Sequence, residues 1–329
     1  MLTFRRAAVL SLPALLAFPA VAGAAPFRDK VITGGAVARA AQTAEPPPSY
    51  PAGDGTLIPI SGDPAVAQRY ATLLGSLPHG SELASLRVAV VPSSEIAGAC
   101  GGSPDDGILA CYGADDQTMI VPADQASDIS VDYVIAHEYG HHIAANRSNA
   151  PLPALAFGPK RWSSYELVCA NTADGRLAPG DQGEHYLSNP GEAWAEAYAR
   201  LVYPTVAWRF TRLLEPTQGS ALAAMADVAE PWSKRTRTVF RGSGARSFKL
   251  PLTLDGAFTL QLAGPSSANY DLVVRSGGKI VDRTSRPGSR DRIHYRIACR
   301  DRRTETLRIS VVRRSARGGP YTLTATYAG

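Results

Sequence analysis

The sequence predicts an α+β fold in two domains, a mixed helix-and-strand part over residues 61–236 and an antiparallel β-sandwich over residues 237–329. Three observations point there. The 329 residues are enough to bury two separate cores. Helix-start signals and 3.6-residue periodicity occupy the first part, whereas strict period-two alternation fills the last. Charge divides at the same place: from Lys234 onward there are 20 Lys and Arg against 6 Asp and Glu, a net of +14, while the rest carries 14 against 23, a net of −9. The 25 prolines and 30 glycines further argue for a loop-rich, partly β architecture rather than a helical bundle.

Residues 1–24 read as a secretory signal. Arg5 and Arg6 precede an apolar run from Ala7 to Val21, broken by Pro13 and Pro19, and Ala22-Gly23-Ala24 supplies small residues for cleavage. Nothing later approaches 18 continuous apolar residues, so no membrane insertion is expected after signal removal, and the chain is expected to be secreted, extracellular or periplasmic. Residues 25–60, with Pro46-Pro47-Pro48 and the turn Gly53-Asp54-Gly55, read as a linker or short pro-segment. Asp63-Pro64 is a cap followed by a first-turn proline. It opens a helix to about Leu77 whose apolar stripe is Val66, Tyr70, Leu73 and Leu74. Leu86 to Val91 and Thr118 to Val121 are short β-branched runs, hence strands, and the segment 93–117 between them is turn-rich. Asp128 is placed to cap a helix from Ile129 to about Ala145, and Pro190 to open another over 190–203, stopped by Pro204.

From about Thr238 the alternation begins: Phe248-x-Leu250, Phe258-x-Leu260-x-Leu262, Leu272-x-Val274, Leu307-x-Ile309-x-Val311 and Tyr321-x-Leu323-x-Ala325. Clusters of Gly, Pro, Asn and Ser separate these runs, as in an antiparallel sandwich. Four cysteines, an even number, suit an oxidising compartment. Cys100 and Cys111 close a Gly- and Asp-rich loop, and Cys169 would then pair with Cys299 by elimination. No Cys-x-x-Cys spacing occurs, which argues against a zinc-thiolate site.

The helix over 129–145 carries His137-Glu138-Tyr139-Gly140-His141-His142. Residues 137 and 141 project from one helical face, so their imidazoles can share one Zn²⁺. Glu138 points about 100° round the helix, placed to exchange protons with water at the metal without ligating it. His142 lies about 140° from His137 and reads as supporting or structural. A catalytic zinc takes three protein ligands and keeps one position for water. The third cannot come from an HExxHxxGxxH pattern, because Ala144 and Arg147 stand at its glycine and last histidine. Asp174 and Asp181 are candidates, and so is Glu192 in Asn189-Pro190-Gly191-Glu192-Ala193-Trp194-Ala195-Glu196. Glu192 and Glu196 share a helical face. One can ligate while the other accepts a ligand imidazole's spare N–H.

The pair HEYGHH and NPGEAWAEAY resembles the gluzincins, zincin-fold metallopeptidases with two histidines and one glutamate on zinc. The resemblance is confined to these two helices and the strand at 118–121. It implies a zincin-like domain with an upper sheet, a lower helical half and a cleft between them, and one Zn²⁺ per chain held by His137, His141 and Glu192. It also implies Glu138 as general base, Glu196 behind the ligands, and a Tyr or His near the third ligand to steady an oxyanion, for which His185 and Tyr186 are the candidates. Tyr165 and Tyr198 read as core. The run Tyr270-Asp271-Leu272-Val273-Val274 and the ending Gly319-Pro320-Tyr321-Thr322-Leu323-Thr324 resemble pre-peptidase C-terminal domains, the small sandwiches appended to secreted bacterial peptidases. The sandwich shows no catalytic set of its own.

The expected function is therefore a secreted zinc peptidase acting on a peptide or protein substrate. The alternative is a zincin-scaffold protein without turnover that binds an anionic cell-surface polymer through its basic sandwich. A merely solvated basic face is the plainer reading of that charge, and no nucleic-acid partner is expected. Residues 25–60 hold no cysteine, so a thiolate cannot be what blocks the metal in a latent form.

Overall fold

The computed structural model describes residues 28–33, 46–125 and 127–329. The expected signal at 1–24 lies outside them. In chain order the first part contains β1 (Arg28–Ile32), β2 (Ser49–Pro51), β3 (Leu57–Ser61), α1 (Pro64–Ser76), β4 (Arg87–Val91), α2 (Ile96–Ala99), β5 (Ile108–Gly113), β6 (Thr118–Pro122) and α3 (Val131–Ala145). It continues with α4 (Ala154–Phe157), α5 (Lys160–Tyr165), α6 (Val168–Ala173), α7 (Pro190–Val202) and α8 (Gln218–Ala229). The sandwich follows as β7 (Arg235–Ser243), β8 (Arg246–Leu252), β9 (Gly256–Ala263), β10 (Tyr270–Ser276), β11 (Lys279–Arg283), β12 (Arg292–Ala298), β13 (Glu305–Arg313) and β14 (Pro320–Ala328).

The first six strands form one mixed sheet in the order β1-β5-β6-β4-β3-β2. β3, β4 and β6 run parallel, and β5 turns antiparallel to β6. β1 closes the far edge by pairing parallel with β5. Three strands thus fall within the stretch read as a linker or pro-segment. The prolines and the Gly-Asp-Gly turn sit between or beside strands, where chain reversal needs them. Asp54 closes that turn by accepting from Thr56 N at 3.0 Å. β5 also rises from the segment read only as turns, because the Cys100–Cys111 disulfide pins its middle to α2.

Helix starts obey their caps. Asp63 Oδ1 accepts from Ala65 N at 2.9 Å, and α1 buries Tyr70 and Leu74 from the expected stripe. α3 begins two residues later than expected, since Ser130 rather than Asp128 is the cap and takes the Tyr133 N–H at 3.3 Å. Unlike a surface helix, α3 is buried on every side from Tyr133 to Ala144. It runs through the middle of the domain core, with the sheet on one side and α7 on the other.

The last eight strands make two four-stranded antiparallel sheets, β11-β10-β13-β8 and β12-β9-β14-β7. Their alternating inward residues, among them Leu250, Leu260, Val274, Ile309 and Leu323, form a second core. The two parts meet through buried polar groups. Lys160 Nζ donates to the Asn149, Ala150 and Asp255 carbonyls at 3.2, 2.8 and 3.0 Å. Burial lowers the pKa of that ammonium to about 8. Asp255 accepts from Arg300 N at 2.8 Å, and the Cys169–Cys299 disulfide crosses the same junction. Both cysteine pairs therefore form as expected, in keeping with an oxidising compartment. Among the described residues no helix is long and apolar enough to cross a membrane.

Candidate metal centre

The centre exists because α3 and α7 cross at very short range. A Cβ on Gly140 would lie 2.8 Å from Ala195 Cα, so only glycine lets the helices approach this closely. Trp194 Nε1 donates to Gly140 O at 2.8 Å and locks the crossing. Asn189 caps α7, accepting from Gly191 N at 3.0 Å, which places Glu192 in the first turn and Glu196 in the next. The two histidines of α3 then face the two glutamates of α7.

Asp29, His137, His141 and Glu192 are all buried, and each offers an atom within 4.8 Å of the others. Asp29 Oδ2 lies 3.1 Å from His137 Nε2 and 2.8 Å from His141 Nε2. Glu192 Oε2 lies 3.1 Å from His141 Nε2 and 3.6 Å from His137 Nε2. Donors held roughly 2.0–2.1 Å from one zinc ion in a tetrahedron are about 3.3–3.4 Å apart. The observed separations bracket that edge length, so this group can hold a metal ion.

Electrostatics make the same demand. His137 Nδ1 lies 3.2 Å from Glu196 Oε2. With that proton given to Glu196, Nε2 aims a lone pair at two carboxylates. Burial alone would lower the pKa of both rings. Instead the Asp29 and Glu192 carboxylates hold His137 well above the usual histidine range and push His141 up to about 10. Asp29, despite complete burial, is held well below the usual carboxylate range by the same two rings. Two buried imidazoles held against two buried carboxylates make a pocket suited to a divalent cation.

Glu138 is fully buried beside the group, and among the described residues neither carboxyl oxygen has a hydrogen-bond partner. Burial, and then the neighbouring Asp29 charge, hold its pKa well above the usual carboxylate range. His141 Nδ1 is likewise without a hydrogen-bond partner among these residues. Unsatisfied polar atoms at such depth mark places where a solvent molecule, ion or substrate belongs.

Glu196 stands behind His137. It accepts from Arg209 Nε at 3.0 Å, and Arg209 Nη2 reaches its other oxygen. Burial would raise its pKa, but the His137 and Arg209 bonds lower it to about 2. A carboxylate whose folded pKa lies below its unfolded value, about 4.3, contributes stability above that value and loses it as pH falls toward 2. In the metal-free protein the stability gap between wild type and Glu196→Gln should therefore shrink by about 2–3 kcal/mol from pH 6 to pH 2. Urea unfolding at the two pH values measures it, and a pH-independent gap would refute it.

The remaining candidates divide. The Tyr186 hydroxyl donates to Asp29 Oδ1, so it grips the aspartate. His185 is exposed on the loop, its N–H on Asp181 Oδ1 at 3.2 Å, and among the described residues its ring bonds none of the four. Asp181 also binds Gly183 N at 2.7 Å, and Asp174 is exposed and paired with Arg176 at 2.9 Å. Neither aspartate belongs to the group, because each spends its oxygens on its own loop. His142 is structural: Tyr112 Oη lies 3.1 Å from its Nδ1 and the Glu82 carbonyl 2.8 Å from its Nε2. Arg147 pairs with buried Glu82 at 2.9 Å. Tyr198 is buried, as read; Tyr165 lies only partly buried beneath Arg303.

Three contributors were not anticipated. Gln182 Nε2 donates to Glu192 Oε1 at 2.6 Å, Arg209 anchors Glu196, and Asp29 completes the group. Nothing local signals any of them. Asp29 comes from a charged stretch 108 residues before His137, and only the pairing of β1 with β5 brings it in.

No protein-family model matches the chain, and no curated protein matches it. Among solved structures, PliG of Aeromonas hydrophila, a periplasmic lysozyme inhibitor of g-type lysozyme, aligns over 30% of this chain and 88% of its own. Identity is 16% and the TM-score 0.21, a likeness that assigns neither fold nor activity.

Proposed function

We propose that this chain is a secreted zinc-dependent peptidase with a zincin-like catalytic domain of the gluzincin type. The observation that carries the reading is the buried meeting of His137, His141 and Glu192 beside a Glu138 carboxyl that has no hydrogen-bond partner among the described residues. His137, His141 and Glu192 would hold the zinc. When bound, zinc supplies a Lewis acid and makes water acidic enough to be activated near neutral pH. Glu138 takes the proton of the attacking water and returns one to the leaving amine. Glu196 fixes the tautomer and orientation of His137, and Arg209 fixes Glu196. The Tyr186 hydroxyl becomes available to a developing oxyanion only when it no longer holds Asp29. No comparable group supports His185 in such a role.

The alternative, binding of an anionic polymer through the basic sandwich without turnover, leaves without a use a Glu138 carboxyl that has no hydrogen-bond partner among the described residues. The test uses purified wild-type and Asp29→Asn chains. We expect about one zinc per chain and cleavage of a proteome-derived peptide library that chelation stops and zinc restores. No zinc in either chain, or no cleavage by either, overturns the proposal.

A further inference from the structure

A catalytic zinc site keeps a position open for water, whereas a closed set of four protein ligands is the mark of a structural site. Here four protein groups converge, and the fourth differs from the other three in origin. His137, His141 and Glu192 ride on two locked core helices, but Asp29 rides on an edge strand of the sheet that the described residues form.

That strand is held lightly. Among the described residues β1 pairs with β5 alone, and of its five residues only Asp29 and Ile32 are buried. Edge elements with little buried apolar surface are the first to open in a folded protein. The aspartate, by contrast, is seated with care. The register slips between Arg28, opposite Ile108, and Asp29, opposite Ala110, so the extra residue on β5 re-aims the side chain. Asp29 Oδ2 reaches both imidazoles, while Oδ1 takes the Tyr186 hydroxyl. One carboxylate thus occupies the metal pocket and engages the tyrosine at once, from a strand that also covers the outward edge of β5.

We propose that β1 is an intramolecular block. Asp29 takes the coordination place that water needs, and the centre becomes competent when β1 leaves β5. The reading rests on the zinc assignment above. It also supplies the latency that a cysteine-free N-terminal segment could not provide through a thiolate.

The test needs no substrate. Full-length wild-type, Asp29→Asn and Ile32→Pro chains are loaded with zinc, or with cobalt for its visible spectrum, and titrated with acetohydroxamate, a small chelator that binds as its anion and requires an open metal position. Ile32 faces Gly113 in the ladder and its carbonyl accepts from Ala114 N at 3.0 Å, so its own N–H also points at β5. Proline there removes a strand donor and a buried apolar side chain while leaving Asp29 intact. Both variants should bind acetohydroxamate at least about tenfold more tightly than wild type, as removal of a competing closed state demands. Only their cobalt spectra should change at low acetohydroxamate. Equal affinity in all three chains overturns the block while leaving the zinc assignment standing. A gain in Asp29→Asn without one in Ile32→Pro overturns strand release. Failure of every chain to take up metal overturns the zinc assignment and this proposal together.

Discussion

Replacing Glu138 by glutamine is expected to leave zinc content unchanged and to lower peptide hydrolysis by about 10²–10⁴-fold, the usual share of a general acid–base group. The measurement is best made beside Asp29→Asn, so that the block proposed for β1 does not mask the loss. Glu138 makes none of the separations that define the metal group, so the ligands should keep their geometry. Gln has nearly the same shape and imitates the neutral carboxylic acid, which burial and the Asp29 charge already favour in the metal-free centre. Thermal stability should therefore change little while turnover collapses. Activity in the Gln variant equal to its parent would remove Glu138 from the chemistry. Loss of zinc would instead make it a ligand.

Gly140→Ala should damage the same centre from outside it. The added methyl has no room, because Ala195 Cα lies 2.8 Å and Ala195 O 3.2 Å from the place it would occupy. The neighbour is backbone, so the helices must part, and His137 and His141 would move away from Glu192 and Glu196. Forced overpacking of this kind costs about 1–3 kcal/mol. Because ligand constellations tolerate shifts of only about 0.5 Å, zinc affinity should fall by at least about tenfold. Urea unfolding of the metal-free protein and zinc competition against a chelator read the two effects. The double change Gly140→Ala with Ala195→Gly removes one of the two methyl groups at the crossing and should recover part of both losses. Wild-type zinc affinity in Gly140→Ala would show that the close crossing is not what assembles the centre.

Much of the architecture was legible in the chain because it depends on local pattern. Asp63-Pro64 and Asn189-Pro190 open helices where caps and proline permit. The alternation from Phe248 onward becomes two facing sheets, since one side of each strand must avoid water. His137, Glu138 and His141 announce themselves because helical spacing alone puts both rings on one face. Glu192 and Glu196 follow for the same reason, and the gluzincin resemblance already preferred Glu192; the structure adds that Asp174 and Asp181 serve their own loops.

What remained hidden depends on long-range approach. The cap of α3 passed from Asp128 to Ser130, since both residue types fit the pattern and only backbone direction decides. Three strands arose from a stretch rich in turn residues. Composition reports the turns, while strand formation there depends on the sheet edges available. Asp29 is the extreme case: an ordinary aspartate between two basic residues, given its meaning by a parallel pairing and a one-residue slip. Sequence by itself determined α1, α3 and α7, most of the alternating strands and the two histidines of the candidate metal group, because these follow from spacing along one element; the shorter helices and α8 were not anticipated. Tertiary structure alone decided that Asp29 joins those histidines, because that depends on where separate elements meet.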